Sequence, residues 1–537
     1  MKMIRFSRII MCIGSALMAA SCSFLNLEPQ DNFVSERFYR NADEASQALL
    51  GVYSHLASTN LYGGAILGRM GLSADIGYED YASDEGSVGY NVVVPQDTKI
   101  TNYWKELYAG IGNANKLLEN LDAVPGLEEN LKLQYEAEAR FLRAYYYFML
   151  TKRFGNVPLI TASQSTVSQK DLQIPQTGQE QIYSFVLSEM EQCVADVPDA
   201  SSLLETGGGR ISKSAVYGIM ARVCLNMAGY PLYDTGKYSK ARAYADSVIT
   251  CGTHRLNPDF SQVFKNYITK VYDIRESIWE VEFYGNNIGT YNNTAGQVGR
   301  NNGIKMNTTW VGADSVGVSI GTVRANPYYM DLFADGDQRR DWTIADYVYK
   351  STGKSAPDAN RWDRCSGKFR REYETLFPKS PSYTATNMPL LRYSDVLLMY
   401  AEAVACDPSG EGDLDKAYEC LNMVRRRGYG LPAGTPSAEV DIPNTGREDL
   451  FEILKDERAR ELGHEFLRKD DLTRWGIYLE QMQYLKSLID LMPTTYTSTY
   501  YASARVYYGS VTAKDVLWPI PSHDISVNRQ LKQNPGW

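Results

Sequence analysis

Apolar positions along this 537-residue chain recur mostly at helical spacing, and they do so in paired stretches. The segment KLQYEAEARFLRAYYYFMLTKRF at 132–154 carries Phe141, Ala144, Tyr145 and Phe148 on one stripe, which predicts a long amphipathic helix. Its expected partner is 179–196, where Ile182, Val186, Met190 and Cys193 repeat at the same spacing and Pro198 closes the element. A second pair is predicted at 212–229 and 238–251, and a third at 394–405 and 414–428. Ala241, Ala245 and Ala417 leave room for close helix crossing.

Such helix pairs resemble tetratricopeptide-type repeats, but the full repeat signature is absent and long insertions separate the pairs. The expectation is a mainly α chain built on a degenerate helical scaffold. The insertions have another character. Residues 75–103 and 284–326 are rich in Gly, Asn, Tyr, Thr and Ser with little helical period, and read as loops and short strands. Long loops on a rigid scaffold are where binding is commonly located.

The amino terminus predicts an address. Lys2, Arg5 and Arg8 precede an apolar run from Ile9 to Ala20 that is too short to span a bilayer, the build of a secretory signal. The segment Ala19-Ala20-Ser21-Cys22 resembles a bacterial lipobox, which would make Cys22 the acylated first residue of the mature chain; the competing reading is a simple cleaved leader. Removing the leader's three basic residues takes the net charge from −9 to −12, which disfavours nucleic acid as a ligand. The six cysteines that remain besides Cys22 show no C-x-x-C spacing, so neither a metal knuckle nor a disulfide framework is expected.

Catalytic patterns fail their context. GVSIG at 317–321 matches the nucleophile-elbow pattern around Ser319, but Pro327 follows with no helical pattern between. Gly463-His464-Glu465 begins like a zinc helix, yet Arg468 stands where the second histidine is needed. Glu457, Glu461 and Glu465 share a helix face with Arg460 and Arg468 and are expected to form ion pairs. DPSGEGDLDKAY at 407–418 imitates a calcium loop, but Tyr418 replaces the bidentate glutamate, and a polar helix connector is the expectation. No cofactor, metal or catalytic residue is predicted.

Several stretches, in order, carry a resemblance to the SusD/RagB family of outer-membrane nutrient-binding lipoproteins. They are CSFLNLEPQDNFVSERFYRNADEASQALLGVY from Cys22, YWKELYAGIGNANKLLENL at 103–121, AEARFLRAYYYFMLTKRFGNVPLI, ESIWEVEF at 276–283, LLRYSDVLLMYAEAV, the run at 453–476 and the terminal WPIPSHDISVNRQLKQNPGW. The resemblance implies four degenerate tetratricopeptide-type units beside a loop-rich region that holds the ligand. It also implies no enzymatic activity, a lipid anchor in the outer membrane at the cell surface, and a SusC-like TonB-dependent transporter as partner. It divides the chain into a lipoprotein signal peptide at 1–21, a helical region at 22–260, a variable ligand-binding region at 261–392 and a carboxy-terminal helical region at 393–537.

The expected ligand is an oligosaccharide, with a peptide or a ligand-free scaffold role as alternatives. Sugar rings need flat apolar surfaces for their C–H faces and amide or charged groups for their hydroxyls. Tyr284, Asn286, Asn287, Tyr291, Asn292, Asn293 and Trp310 supply both in one insertion, and Tyr78, Tyr81, Asp84 and Tyr90 in the other. For each aromatic the competing expectation is burial under its own loop. Trp104, Trp279, Trp475 and Trp518 fall in scaffold stretches and are expected in the core, while Trp362 is left open.

Overall fold

A computed structural model describes residues 39–80, 88–163, 173–204, 207–291, 294–493 and 499–537. Cys22, Tyr81, Asp84, Asn292 and Asn293, and the leader itself, lie outside the described residues, and the side chain of Tyr291 is likewise not described. Among the described residues the protein is mainly α, with eighteen α-helices and a few short strands.

The paired helices form where the apolar periodicity places them. The first pair is Glu129–Phe154 with Gln179–Cys193, the second Lys213–Ala228 with Lys237–Thr250, and the third Tyr393–Cys406 with Leu414–Gly428; each pair packs together. The Glu129–Phe154 helix is central. Residues 144–151 are buried in an unbroken run, which is expected of a helix surrounded on all sides. The Thr98–Asn120 helix crosses it at Gly110, where an added Cβ would sit 2.6 Å from the Tyr146 ring. Helix starts carry their own signals: Asn41, Asp97, Ser212, Asp259 and Asp413 each accept a backbone N–H of the first turn.

Sequence and structure part at 75–103. That stretch was expected to stay irregular to residue 103, but the helix begins at Thr98 because Asp97 caps Lys99 and Ile100. Gly77–Glu79 pairs antiparallel with Val323–Ala325, which in turn pairs with Arg364–Cys365. This three-stranded sheet ties the two insertions together. Ser277–Val281 pairs with Met388–Arg392, so the main core runs through Trp279, Phe283 and Met388 into the helices on either side. Trp104, Trp279 and Trp518 are buried in that core as expected, whereas Trp362 joins a second core with Tyr78 and Tyr508 and Trp475 is partly buried against that second core.

The glutamates of the Arg447–Leu462 helix are ion-paired, over a wider reach than helix neighbours alone. Glu461 meets Arg427 at 2.6 Å and Arg392 at 2.9 Å, and Glu457 meets Arg339 at 2.6 Å and Arg460 at 2.8 Å. Glu465 binds Lys368 and Arg392, whereas Arg468 turns away to Asp75. Burial alone would raise these carboxyls. The surrounding arginines outweigh it, holding Glu461 well below the usual carboxylate range and Glu457 at about 2.

Candidate ligand-binding site

The Trp310 side chain stands at the rim of a cavity of about 240 Å3 built from three separate parts of the chain. Its own loop supplies Ile304, Lys305 and Asn307, the β-hairpin Val348–Lys350 and Gly353–Ser355 supplies Tyr349 and Lys350, and the helix Thr499–Gly509 supplies Tyr500. The floor is Arg324, on the middle strand of the three-stranded sheet.

Local geometry explains how these side chains are held. The Trp310 amide donates to Asn307 O and the Val311 amide to Ser351 O, which fastens the loop to the hairpin, and the indole packs partly buried against Ile304, Met306 and Tyr349. The Tyr349 hydroxyl donates to Glu372, fixing its ring. Arg324 is 2% exposed, donates from Nη1 to Asp363 Oδ1 at 2.8 Å, and lies 4.8 Å from the Tyr500 ring centroid. Its Nε and Nη2 have no hydrogen-bond acceptor among the described residues; Asp80 Oδ2 stands 3.6 Å from Nη2, at ion-pair distance only. Lys350 pairs with Asp358 at 2.7 Å. The cavity therefore combines indole and phenol rings with charges that are mostly compensated, a surface that can stack an apolar ring face and hydrogen-bond its polar edge.

Of the described residues expected to bind ligand, this cavity gathers Trp310 alone. Tyr284 is 61% exposed with the Lys270 ammonium 5.2 Å from its ring, and Asn287 is exposed beside it, but neither lines the cavity. Asn286 is a correction: it is buried, donates to Pro378 O at 3.0 Å and accepts from the Ile288 amide, so its amide ties two loops together instead of facing solvent. Tyr78 and Tyr90 are corrections of the same kind. Tyr78 is fully buried and donates to Trp362 O at 2.7 Å, and Tyr90 is buried with its hydroxyl 3.4 Å from Ser503 Oγ. The reason is strand pairing of Gly77–Glu79 and the helix Thr499–Gly509 packed over it.

Sequence reading missed Tyr500, Tyr349, Lys305 and Arg324. The tyrosine run TYYASARVYY at 499–508 was a usable signal for the first of them.

Ser319 and the 407–418 connector have structural hydrogen-bond partners, whereas both ring nitrogens of His464 are buried without one. Ser319 is buried and donates to Arg300 O at 2.9 Å, and its flanking elements come in the reverse of elbow order, helix Ala313–Val316 before and strand Val323–Ala325 after. His464 is fully buried, and burial with nearby Lys368 pushes it down to about 3. In the 407–418 connector Asp407 accepts from Ser409 and Asp413 caps the next helix.

The mainly helical scaffold with its loop-rich insertions is shared with proteins of a known family. Residues 275–537 match the SusD family, and residues 49–225 match a family described as starch-binding and associating with the outer membrane. A crystal structure of a SusD homolog from Bacteroides thetaiotaomicron superposes with a TM-score of 0.84 at 30% identity, over 94% of this chain and 98% of that one. The starch-binding protein SusD of the same species is 25% identical over 78% of this chain and 75% of its own length. A laminarin-binding SusD-like protein shares the fold, with a TM-score of 0.71 at 22% identity over 93% of this chain and all of that one. The chain belongs to the SusD family.

Proposed function

We propose that this protein is a lipid-anchored surface protein that captures an oligosaccharide in the Trp310–Tyr500 cavity and passes it to a TonB-dependent outer-membrane transporter. The observation that carries the reading is the cavity itself: two rings at its rim and, at its floor, a buried arginine with unsatisfied N–H groups, the pairing a sugar's two kinds of surface require. Relatives named for starch and laminarin binding support a glycan as the ligand class. The lipobox-like Ala19-Ala20-Ser21-Cys22 supports the anchor. No described helix is long and apolar enough to cross a membrane, so transport requires a partner that spans it.

Calorimetric titration against a panel of soluble polysaccharides and their oligomers tests the reading. At least one glycan should bind, and Trp310→Ala with Tyr500→Ala should weaken it at least tenfold. Binding of extended peptides and of no glycan would overturn it. Cys22→Ala should release the protein from membrane fractions; an unacylated mature Cys22 in the wild type would remove the anchor from the proposal.

A further inference from the structure

A second opening, of about 170 Å3, lies in the helical part of the molecule and shares no lining residue with the Trp310 cavity. It sits where the helices Glu129–Phe154 and Lys213–Ala228 end, beside the Arg468–Arg474 helix and the last residues of the chain. Part of its polar lining has hydrogen-bonding capacity to spare, although Gln179, Asn534 and Asp470 are partnered. Tyr183 is 3% exposed, and its hydroxyl makes no hydrogen bond to any described residue. Thr473 Oγ1 is also without a partner there. Asn226 donates from Nδ2 to Arg222 O at 2.8 Å, which leaves its Oδ1 open as an acceptor. Lys152 holds Asp470 with one N–H at 2.8 Å and has two more to offer.

The mouth of this opening is aromatic. Tyr230 and Tyr233 are 38% and 59% exposed, and their rings meet edge-on with centroids 6.0 Å apart. Buried polar groups are almost always hydrogen-bonded, so four with spare capacity around one opening call for an occupant. The volume holds about six waters at their liquid share of roughly 30 Å3 each, which is also enough for a single sugar ring. Water alone would satisfy the polar groups, but it would not account for the Tyr230 ring left in solvent at the mouth with the exposed Tyr233 ring against it.

We infer that this opening is a second glycan site, in which the Tyr230 ring, with Tyr233 edge-on beside it, stacks one sugar ring and Tyr183, Thr473, Asn226 and Lys152 take its hydroxyls. The ligand class rests on the glycan reading above; the site's geometry does not. Two sites on one rigid scaffold would let a long polysaccharide engage both, raising its apparent affinity without any new contact at the first.

Saturation-transfer NMR with free glucose, galactose, mannose, xylose and arabinose as probes tests this on the full chain. In Trp310→Ala/Tyr500→Ala, at least one sugar should still give signal, and adding Tyr183→Phe should lower its affinity about tenfold. The melting midpoint of Tyr183→Phe alone should hold or rise, because an unpaired buried hydroxyl has been removed. If the first-site variant loses all sugar signal with a native melt, the second site falls while glycan capture stands. An unchanged affinity on Tyr183→Phe, or a lowered melt, would likewise overturn the second site. No signal from any sugar or polysaccharide in the wild type would remove both.

Discussion

Two groups of buried arginines sit in this molecule under opposite conditions. Beneath the Arg447–Leu462 helix, Arg339 and Arg392 lie fully inside and are wrapped by Glu276, Glu457, Glu461 and Glu465, with Asp337 completing Arg339; neighbouring Arg427 pairs with Glu461, though its Nε finds no acceptor. Under the cavity, Arg324 is equally buried but leaves two N–H groups without hydrogen-bond acceptors. The chemistry is the same and the satisfaction differs. A saturated guanidinium fixes elements against one another, whereas an unsaturated one beneath a cavity keeps donor capacity that its neighbours leave unused. By this contrast the charged positions of the helical part are read as architecture and those of the insertions as recognition.

The largest expected effect comes from breaking the saturated group. Glu461→Ala leaves Arg427 and Arg392 facing a hole in a region with no water access, and losing one partner of such a buried network costs about 3–5 kcal/mol. The denaturant midpoint should fall accordingly, with glycan affinity measured below that transition unchanged. A midpoint within error of wild type would mean that the network is dispensable and the contrast drawn here is wrong.

How much of this was legible beforehand follows from the range of the forces involved. The scaffold pairs were readable because a helix writes its packing face into spacings of three and four residues, as Ile182, Val186, Met190 and Cys193 do. The cavity was readable only at Trp310, an aromatic stranded among polar residues. Arg324 sits in a three-residue strand too short to show alternation, and Tyr500 reaches the site through helix packing between distant segments. Tyr78 and Tyr90 were misplaced for the same reason: a Gly- and Ser-rich composition suggested an open loop, while pairing of Gly77–Glu79 with Val323–Ala325 turned the Tyr78 ring inward and the Thr499–Gly509 helix covered Tyr90. Arg468 was expected to serve its own helix face but is drawn across to Asp75, a partner no local pattern reveals.

A middle-sized effect sharpens the comparison from the cavity side. Trp310→Ala removes a partly buried indole from the rim, and aromatic stacking beyond area burial is worth about 1 kcal/mol, so affinity for the captured glycan should drop roughly fivefold. The midpoint should fall far less than in Glu461→Ala. Tyr284→Ala is the control: its ring lies outside the cavity, and it should leave affinity unchanged there. If Tyr284→Ala weakens binding more than Trp310→Ala, the ligand lies on the exposed loop face and not in the cavity.

A further effect is a dependence on pH that runs in opposite directions in the two regions. Glu457 is held at about 2 because Arg339 and Arg460 outweigh burial, so its stabilisation is complete above its unfolded value near 4.5 and is lost as pH falls towards 2. Glu79, on the sheet edge beside the cavity, is pushed by burial up to about 8, against the partial relief of the Gly71 and Leu72 amides it accepts from. A carboxyl raised in this way keeps its proton in the folded state while the unfolded chain has released it. Its contribution is therefore full below about 4.5 and declines as pH rises through 8. Replacing it with an uncharged amide removes that dependence. Melting midpoints of wild type and Glu79→Gln should accordingly lie close together at pH 5, with wild type falling below the variant by pH 8 to 9. In a chain of this size ~1 kcal/mol shifts the midpoint by less than about 2 °C, so the comparison is best made by denaturant titration at each pH. Parallel curves across that range would mean that Glu79 is ionised in its buried position, with a cation nearer to it than Lys469 now stands.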